Sequence, residues 1–330
     1  VTTGVQNTLI GGLAGDALTE GGNNVALGHG TLSTETTTGR TVAVGYLALS
    51  SQRSDSHTYN VAVGYEASAA VTTGVRNVIM GGFAGDALTS GAYNTALGHG
   101  ALSSEDAHGK NVAVGYQALV AQDAGADAYN VAVGFEAGHD VTTGDQNTLI
   151  GGAAGDALTE GDNNVAVGAF ALSAETLGDR NVAVGRGAMQ NQNNTSDTDV
   201  YNIAVGYNAG ANVTTGTDNT IVGGLAGDAL TTGALNVAIG KAALSAEDTG
   251  SANVAVGHAA LMSQNYNGSA YNTAVGHNAG TALISGIQNT LIGGLAGDAL
   301  TTGSNNIAIG VDALSAEIGG GRNVAIGKSA

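Results

Sequence analysis

At steps of 17 residues the chain repeats one phrase: an Asn, three β-forming or small residues, and a Gly. The Asn positions are Asn7, Asn24, Asn60, Asn77, Asn94, Asn111, Asn130, Asn147 and so on to Asn323, with Thr41 the one departure among nineteen copies. A Gly follows four residues later in every copy. Three residues after the Gly comes an Ala, with Thr31 the one exception. Self-similarity at so short a period marks a solenoid, in which each coil touches only its neighbours and no coil can bury its apolar face alone. The expected fold is all-β: a parallel β-solenoid of about 19 coils running as one continuous domain over residues 1–330.

Composition agrees. There are 55 Gly and no Pro, which suits a chain that turns often and donates an N–H almost everywhere. Three Phe, ten Tyr and no Trp leave a narrow interior of Val, Ile, Leu and Ala, with no room for a buried cofactor. The absence of Cys removes disulfides and Cys-based zinc sites. A net charge of −18 argues against nucleic-acid binding, and no apolar run is long enough to span a membrane. Because the repeat is entered and left in mid-coil, the chain reads as a segment of a longer fibre protein.

Within Asn-Val-Ala-Val-Gly at 60–64, apolar residues alternate in size with the period of two of a strand. The expectation is that Val61 and Val63 face the interior, with Ala62 on an opposite face that a second copy covers. A second strand is expected at Tyr116–Leu119, then a polar corner. The Asn column is expected to be structural, its amides hydrogen-bonding to one another along the axis at a corner where Asn tolerates a left-handed backbone.

A longer cycle of four coils and 70 residues lies above the coil. Its first coil carries Gly-Gly-Leu-Ala-Gly-Asp, as at 11–16, and its second a Glu: Glu35, Glu105, Glu175, Glu247 or Glu317. The third coil is longer, with its extra residues just before Tyr59, Tyr129, Tyr201 and Tyr271. Insertions in a solenoid go to loops on one edge, so these loops, at 50–58, 120–128, 190–200 and 262–270, are the candidate contact sites.

Catalytic, cofactor and metal sites are not found in the pattern. The Gly-Gly-x-Ala-Gly-Asp loop lacks the helix a phosphate site needs. The signature Asp recurs only every fourth coil, too sparse for a calcium ladder. Asp16 and Glu35 on adjacent coils have the spacing of an inverting glycosidase pair, but the same pair recurs in every cycle, so it reads as a solvated acidic stripe. The seven His show no metal spacing. Thr-Thr-Gly is absent from most coils, which denies an ice-binding lattice.

The recurrent Asn-x-Ala-Ile/Val-Gly-x-x-Ala resembles the head repeat of trimeric autotransporter adhesins. The Thr-Thr-Gly-Ser-Asn-Asn-Ile-Ala-Ile-Gly stretch at 301–310 is similar to repeats of phage tail fibres and bacterial surface fibres. The resemblance implies a left-handed β-roll, a homotrimer with the small-residue face inward, and an extracellular, cell-surface or virion location. It implies a non-enzymatic fibre that spaces or presents an adhesive element, with a surface glycan or protein as receptor. The alternatives are a filament assembled by lateral or end-to-end contacts, an ice-binding solenoid and a glycan-degrading tailspike.

Overall fold

The computed structural model describes residues 1–330, all-β and without helix. Nineteen parallel strands of three residues, about 17 residues apart, make a β-solenoid of about 19 turns. The chain divides into two compact units, Val1–Asn164 and Val165–Ala330. The first carries nine of these strands, Thr8–Ile10 to Thr148–Ile150, and the second ten, Val165–Val167 to Val324–Ile326. In the second unit a further pair joins Gly178–Asp179 to Thr198–Asp199. Within each unit the pairing is in phase. Val42, Ala43 and Val44 lie opposite Val61, Ala62 and Val63, although the step between those coils is longer. The extra residues therefore lie outside the strand and leave its register untouched.

The interior is the reverse of the expected one. Asn60 and Ala62 are buried, whereas Val61 and Val63 are only half-buried and face out. Ala43, Ala96, Ala113, Ala204 and Ala238 repeat the pattern at zero exposure. Side chains two apart on a strand share a face, so the buried Asn carries the Ala inward with it. The interior is also too narrow for two large residues per strand. The facing wall already contributes a second Ala column (Ala48, Ala67, Ala118) and, in the second and third coils, a fully buried Leu directly after it (Leu49, Leu119, Leu172).

The first coil of each cycle accommodates a larger strand residue. There the middle strand residue is Ile79, Leu149, Ile221 or Leu291, all interior rather than on a second face. The position that holds Leu49 or Leu119 in the second and third coils is then Gly85, Gly155, Gly227 or Gly297; the fourth coil, with Ala in the strand, also has a small residue there (Ser68, Gly138, Gly210 or Gly280). A Cβ at Gly155 would lie 2.7 Å from Leu149 Cδ2. Large and small residues alternate so that each layer fills without overlap.

No second strand forms at Tyr116–Leu119, which is a run of turns. Gln117 and Leu119 both have left-handed φ, at 51° and 50°, and that alternation cannot build a ladder. The Gly before them is required for a different reason. Gly115 has φ of 145°, and a Cβ there would sit 2.0 Å from the Gly134 carbonyl oxygen of the next coil.

The recurring Glu is not in a solvated stripe. Glu35, Glu105, Glu175 and Glu247 are fully buried. Each carboxylate accepts backbone N–H groups of its own corner: Glu35 Oε1 takes those of Thr36, Thr37 and Thr38 at 2.9–3.2 Å. In two cycles the other oxygen accepts from the buried Gln of the next coil, Gln52 at 3.4 Å and Gln192 at 2.9 Å. That Gln in turn accepts from an Asn of the column, as Asn60 Nδ2 to Gln52 Oε1 at 2.9 Å. In these two cycles the Glu–Gln–Asn relay links the second, third and fourth coils. Burial is the largest influence on Glu247 and pushes its pKa up; hydrogen bonds from the Gly250 and Tyr266 backbone oppose it.

Two expectations follow from the interior. Ala113→Leu should overpack against Leu119 and cost about 1–3 kcal/mol in chemical denaturation. Adding Leu119→Gly should recover much of the loss, because the pair then copies Leu149 with Gly155. Second, a carboxylate whose folded pKa is raised holds its proton more firmly when folded, so its ionisation weakens the fold. The contribution of Glu247 is most favourable below the unfolded value near 4.5. It is lost as pH rises from there through the raised folded value. Thermal midpoints should therefore fall from pH 5 towards pH 7.5, and Glu247→Gln should flatten that slope. A slope unchanged by the substitution would contradict this assignment.

Candidate interaction surface

The outward face of each strand is built from the residues flanking the buried Ala. In the first unit Val42, Val61, Val78, Thr95, Val112 and Val131 form one outward column. Val44, Val63, Met80, Leu97, Val114 and Val133 form the next. In-phase pairing sets equivalent residues at strand spacing, so the columns merge into a continuous apolar strip. In the second unit the strip is made by pairs such as Val182 with Val184 and Ile307 with Ile309. Contiguous exposed apolar surface of this kind is uncommon on a chain that works alone.

Both edges of the strip carry aromatic groups. Directly after the Gly column in the first unit stand His29, Tyr46, Tyr65, His99, Tyr116 and Phe135, and Phe83, one residue further on behind Gly82, completes an unbroken ring ladder with centroids 5.2–5.8 Å apart. The sequence reading missed it. The position tolerates many residue types, and a contact between coils becomes visible only when copies are aligned by coil rather than by residue number. In the second unit the same edge holds Arg186 between the rings of Phe170 and Tyr207, and a stacked pair of imidazoles, His258 and His277, at 5.2 Å.

The opposite edge carries the residue before each Asn. In every coil this residue has left-handed φ, from Arg40 at 65° to Tyr271 at 53°. The left-handed corner is therefore one position earlier than the Asn itself. Cations and tyrosines alternate here. Arg40 donates to the Tyr59 hydroxyl, Arg76 to Tyr93 at 2.5 Å and Lys110 to Tyr129 at 2.7 Å. Each cation also lies over the ring, at 4.8–5.4 Å from its centroid. Arg180 pairs similarly with Tyr201 and with Asp199. Tyr59, Tyr129, Tyr201 and Tyr271 are thus exposed at the end of their loops, and the first three are held by a basic residue of the preceding coil. The place of that basic residue before Tyr271 is taken by Ala252.

The Asn column works differently from a simple amide ladder. In the first unit the Oδ1 accepts the backbone N–H of the column residue in the next coil, an Asn or, after Asn24, Thr41. Asn24 donates to Asn7 at 2.9 Å, Asn77 to Asn60 at 2.9 Å and Asn147 to Asn130 at 2.8 Å. Asn94 and Asn111 continue the series. Nδ2 donates to a carbonyl 14 residues on, as Asn7 to Gly21 and Asn77 to Gly91, except at Asn111, whose Nδ2 has no hydrogen-bond partner. Direct amide-to-amide bonds occur in the second unit, for example Asn306 Nδ2 to Asn289 Oδ1 at 3.1 Å. The corner leaves a backbone donor and a backbone acceptor that the short strand does not pair, and the amide supplies both partners.

The candidate acid pair separates. Glu35 points inside and is committed to the backbone, while Asp16 is exposed. Asp86, Asp156 and Asp228 are half-buried, each with one carboxylate oxygen that has no hydrogen-bond partner, and burial raises their pKa values.

No family model matches the chain, and no curated protein matches its sequence.

The inside-out parity is testable at one strand. Val61→Thr should change stability by less than about 1 kcal/mol, because Thr95 and Thr148 already occupy that column. Ala62→Thr, one residue away, places extra volume and an unpaired hydroxyl in the interior and should cost about 2 kcal/mol or more by urea denaturation. Equal costs at the two positions would contradict the assignment of faces.

Proposed function

We propose that this chain is a non-enzymatic structural fibre segment, exported or virion-borne, that associates with copies of itself and spaces or presents an adhesive element. The observation that carries this reading is the apolar strip. Its columns of Val, Ile, Leu and Met face out in coil after coil, flanked by rings and polar groups, and a second copy of the same strip is the surface that matches its repeat. The Ala column cannot serve as that interface, because it lies in the interior. The resemblance to trimeric adhesin heads and tail-fibre repeats favours a closed parallel trimer, which buries each strip once and leaves the ring and Tyr edges at its margins. A non-enzymatic role is supported by the corner Glu residues, whose carboxylates are occupied by backbone donors.

Light scattering at micromolar concentration should give three times the chain mass of 32.0 kDa. The double change Val63→Glu, Val133→Glu should abolish that species. A monodisperse 32.0 kDa chain that keeps its strand content would overturn the reading.

A further inference from the structure

The cycles provide internal controls for one another, and the second departs from the first and third at one corner. In the first and third cycles the buried Glu accepts through Oε2 from the Gln one coil on. In the second cycle Gln122 turns its Nε2 to the Thr142 carbonyl instead, at 3.1 Å. Glu105 is left with the backbone N–H of His108 at 3.0 Å and a long contact from Ala124 at 3.4 Å. This is also the one corner with an imidazole. His108 stands where the other cycles have Thr38, Gly178, Gly250 and Gly320. Its Nδ1 is buried without a hydrogen-bond partner, 3.5 Å from Glu105 Oε1. Asp106 adds a second carboxylate, and all three groups offer ligand atoms within 4.8 Å of one another.

We propose that Glu105, Asp106 and His108 form a binding site for one divalent transition-metal ion of the zinc class. A carboxylate oxygen and an imidazole nitrogen 3.5 Å apart are too far for a good hydrogen bond. They are close to the ligand-to-ligand edge of a tetrahedral zinc site, about 3.3 Å for bonds of roughly 2.0–2.1 Å. One nitrogen and two carboxylate oxygens suit zinc better than calcium, which takes six or more oxygens. The His108 and Ala124 N–H groups hold the Glu105 carboxylate in place from behind, as outer-shell donors do in metal sites. Asp106 is exposed, so its carboxylate closes the last ångström by a rotamer change and leaves a fourth position open to solvent. The surroundings attract a cation: Asp123 and Asp127 lie close by, and the one neighbouring cation, Lys110, is engaged by Asp127 at 2.8 Å. A bound ion ties this corner to the neighbouring loop at 120–128, whose Ala124 N–H already reaches Glu105.

The test is zinc titration by isothermal calorimetry on the 330-residue chain carrying His277→Ala, which removes the stacked imidazole pair as a competitor. Ala169 fills the matching position elsewhere, so this background keeps the fold. One zinc per chain should bind with micromolar affinity. His108→Thr and Asp106→Thr restore the residues of the first cycle, Thr38 and Thr36, and should leave circular dichroism unchanged while weakening binding by about tenfold or more. An isotherm in His108→Thr that superimposes on the parent, or no uptake in the parent at 100-fold molar excess of zinc, would overturn the site.

Discussion

The structure depends on one amide per coil. A strand of three residues is too short to hold a solenoid corner by its own ladder, and both backbone groups at the entry to the strand would be orphaned in the interior. The Asn side chain accepts from one coil and donates to the corner beside it, as Asn60 does with Asn77 N–H and the Gly74 carbonyl. A buried amide with a free donor or acceptor costs on the order of 1–3 kcal/mol per group, so the column enforces both its own position and its spacing. Register follows from it: a slip by one residue would expose every amide and bury every outward Val.

Given the inward Asn, the rest of the interior is a problem of volume and charge. The Ala two residues on is small because the opposite wall is close. Where a larger residue takes its place, a Gly yields on the other side, as Leu149 and Gly155 show. The buried Glu and Gln are the polar counterpart. Their oxygens satisfy corner N–H groups that turns of alternating φ leave unpaired, at the cost of desolvating a carboxylate. Thr41, the one member of the column that is not Asn, fits the same network: its hydroxyl lies 2.6 Å from that of Thr58 and accepts from Gln52 Nε2 at 3.2 Å. Its backbone N–H is still received by Asn24 Oδ1 at 3.1 Å.

Stacking in phase converts any outward residue type into a continuous line. Val and Ile become an apolar strip, rings at the following position become a ladder, and cations alternating with tyrosines become a braced edge. None of these is a property of a single coil. Each is a product of the repeat distance, and a coil that breaks the pattern breaks the line, as Ala153 does after Phe135. The proposed metal corner illustrates the converse: the corners are so nearly equivalent that Asp106 and His108, in place of the Thr36 and Thr38 of the first cycle, make one of them chemically distinct.

The repeat by itself determined that this chain is a parallel β-solenoid with strands on the Asn-x-Ala-x-Gly phrase, with lengthened corners ahead of Tyr59, Tyr129, Tyr201 and Tyr271. Periodicity is enough for that, since identical coils have no better partner than one another. It did not decide which side of the strand is inside. Alternation gives two faces but no sign, and the larger residues were assigned to the core by a rule suited to wider interiors. Had the Asn been treated as a buried corner group, parity would have placed Ala62 inside as well. Nor did the pattern show that Glu105 and its counterparts are buried, because a carboxylate in a polar corner looks the same whether it faces water or backbone donors. Only three-dimensional packing decides that, through the width between the walls and the direction of the unpaired N–H groups.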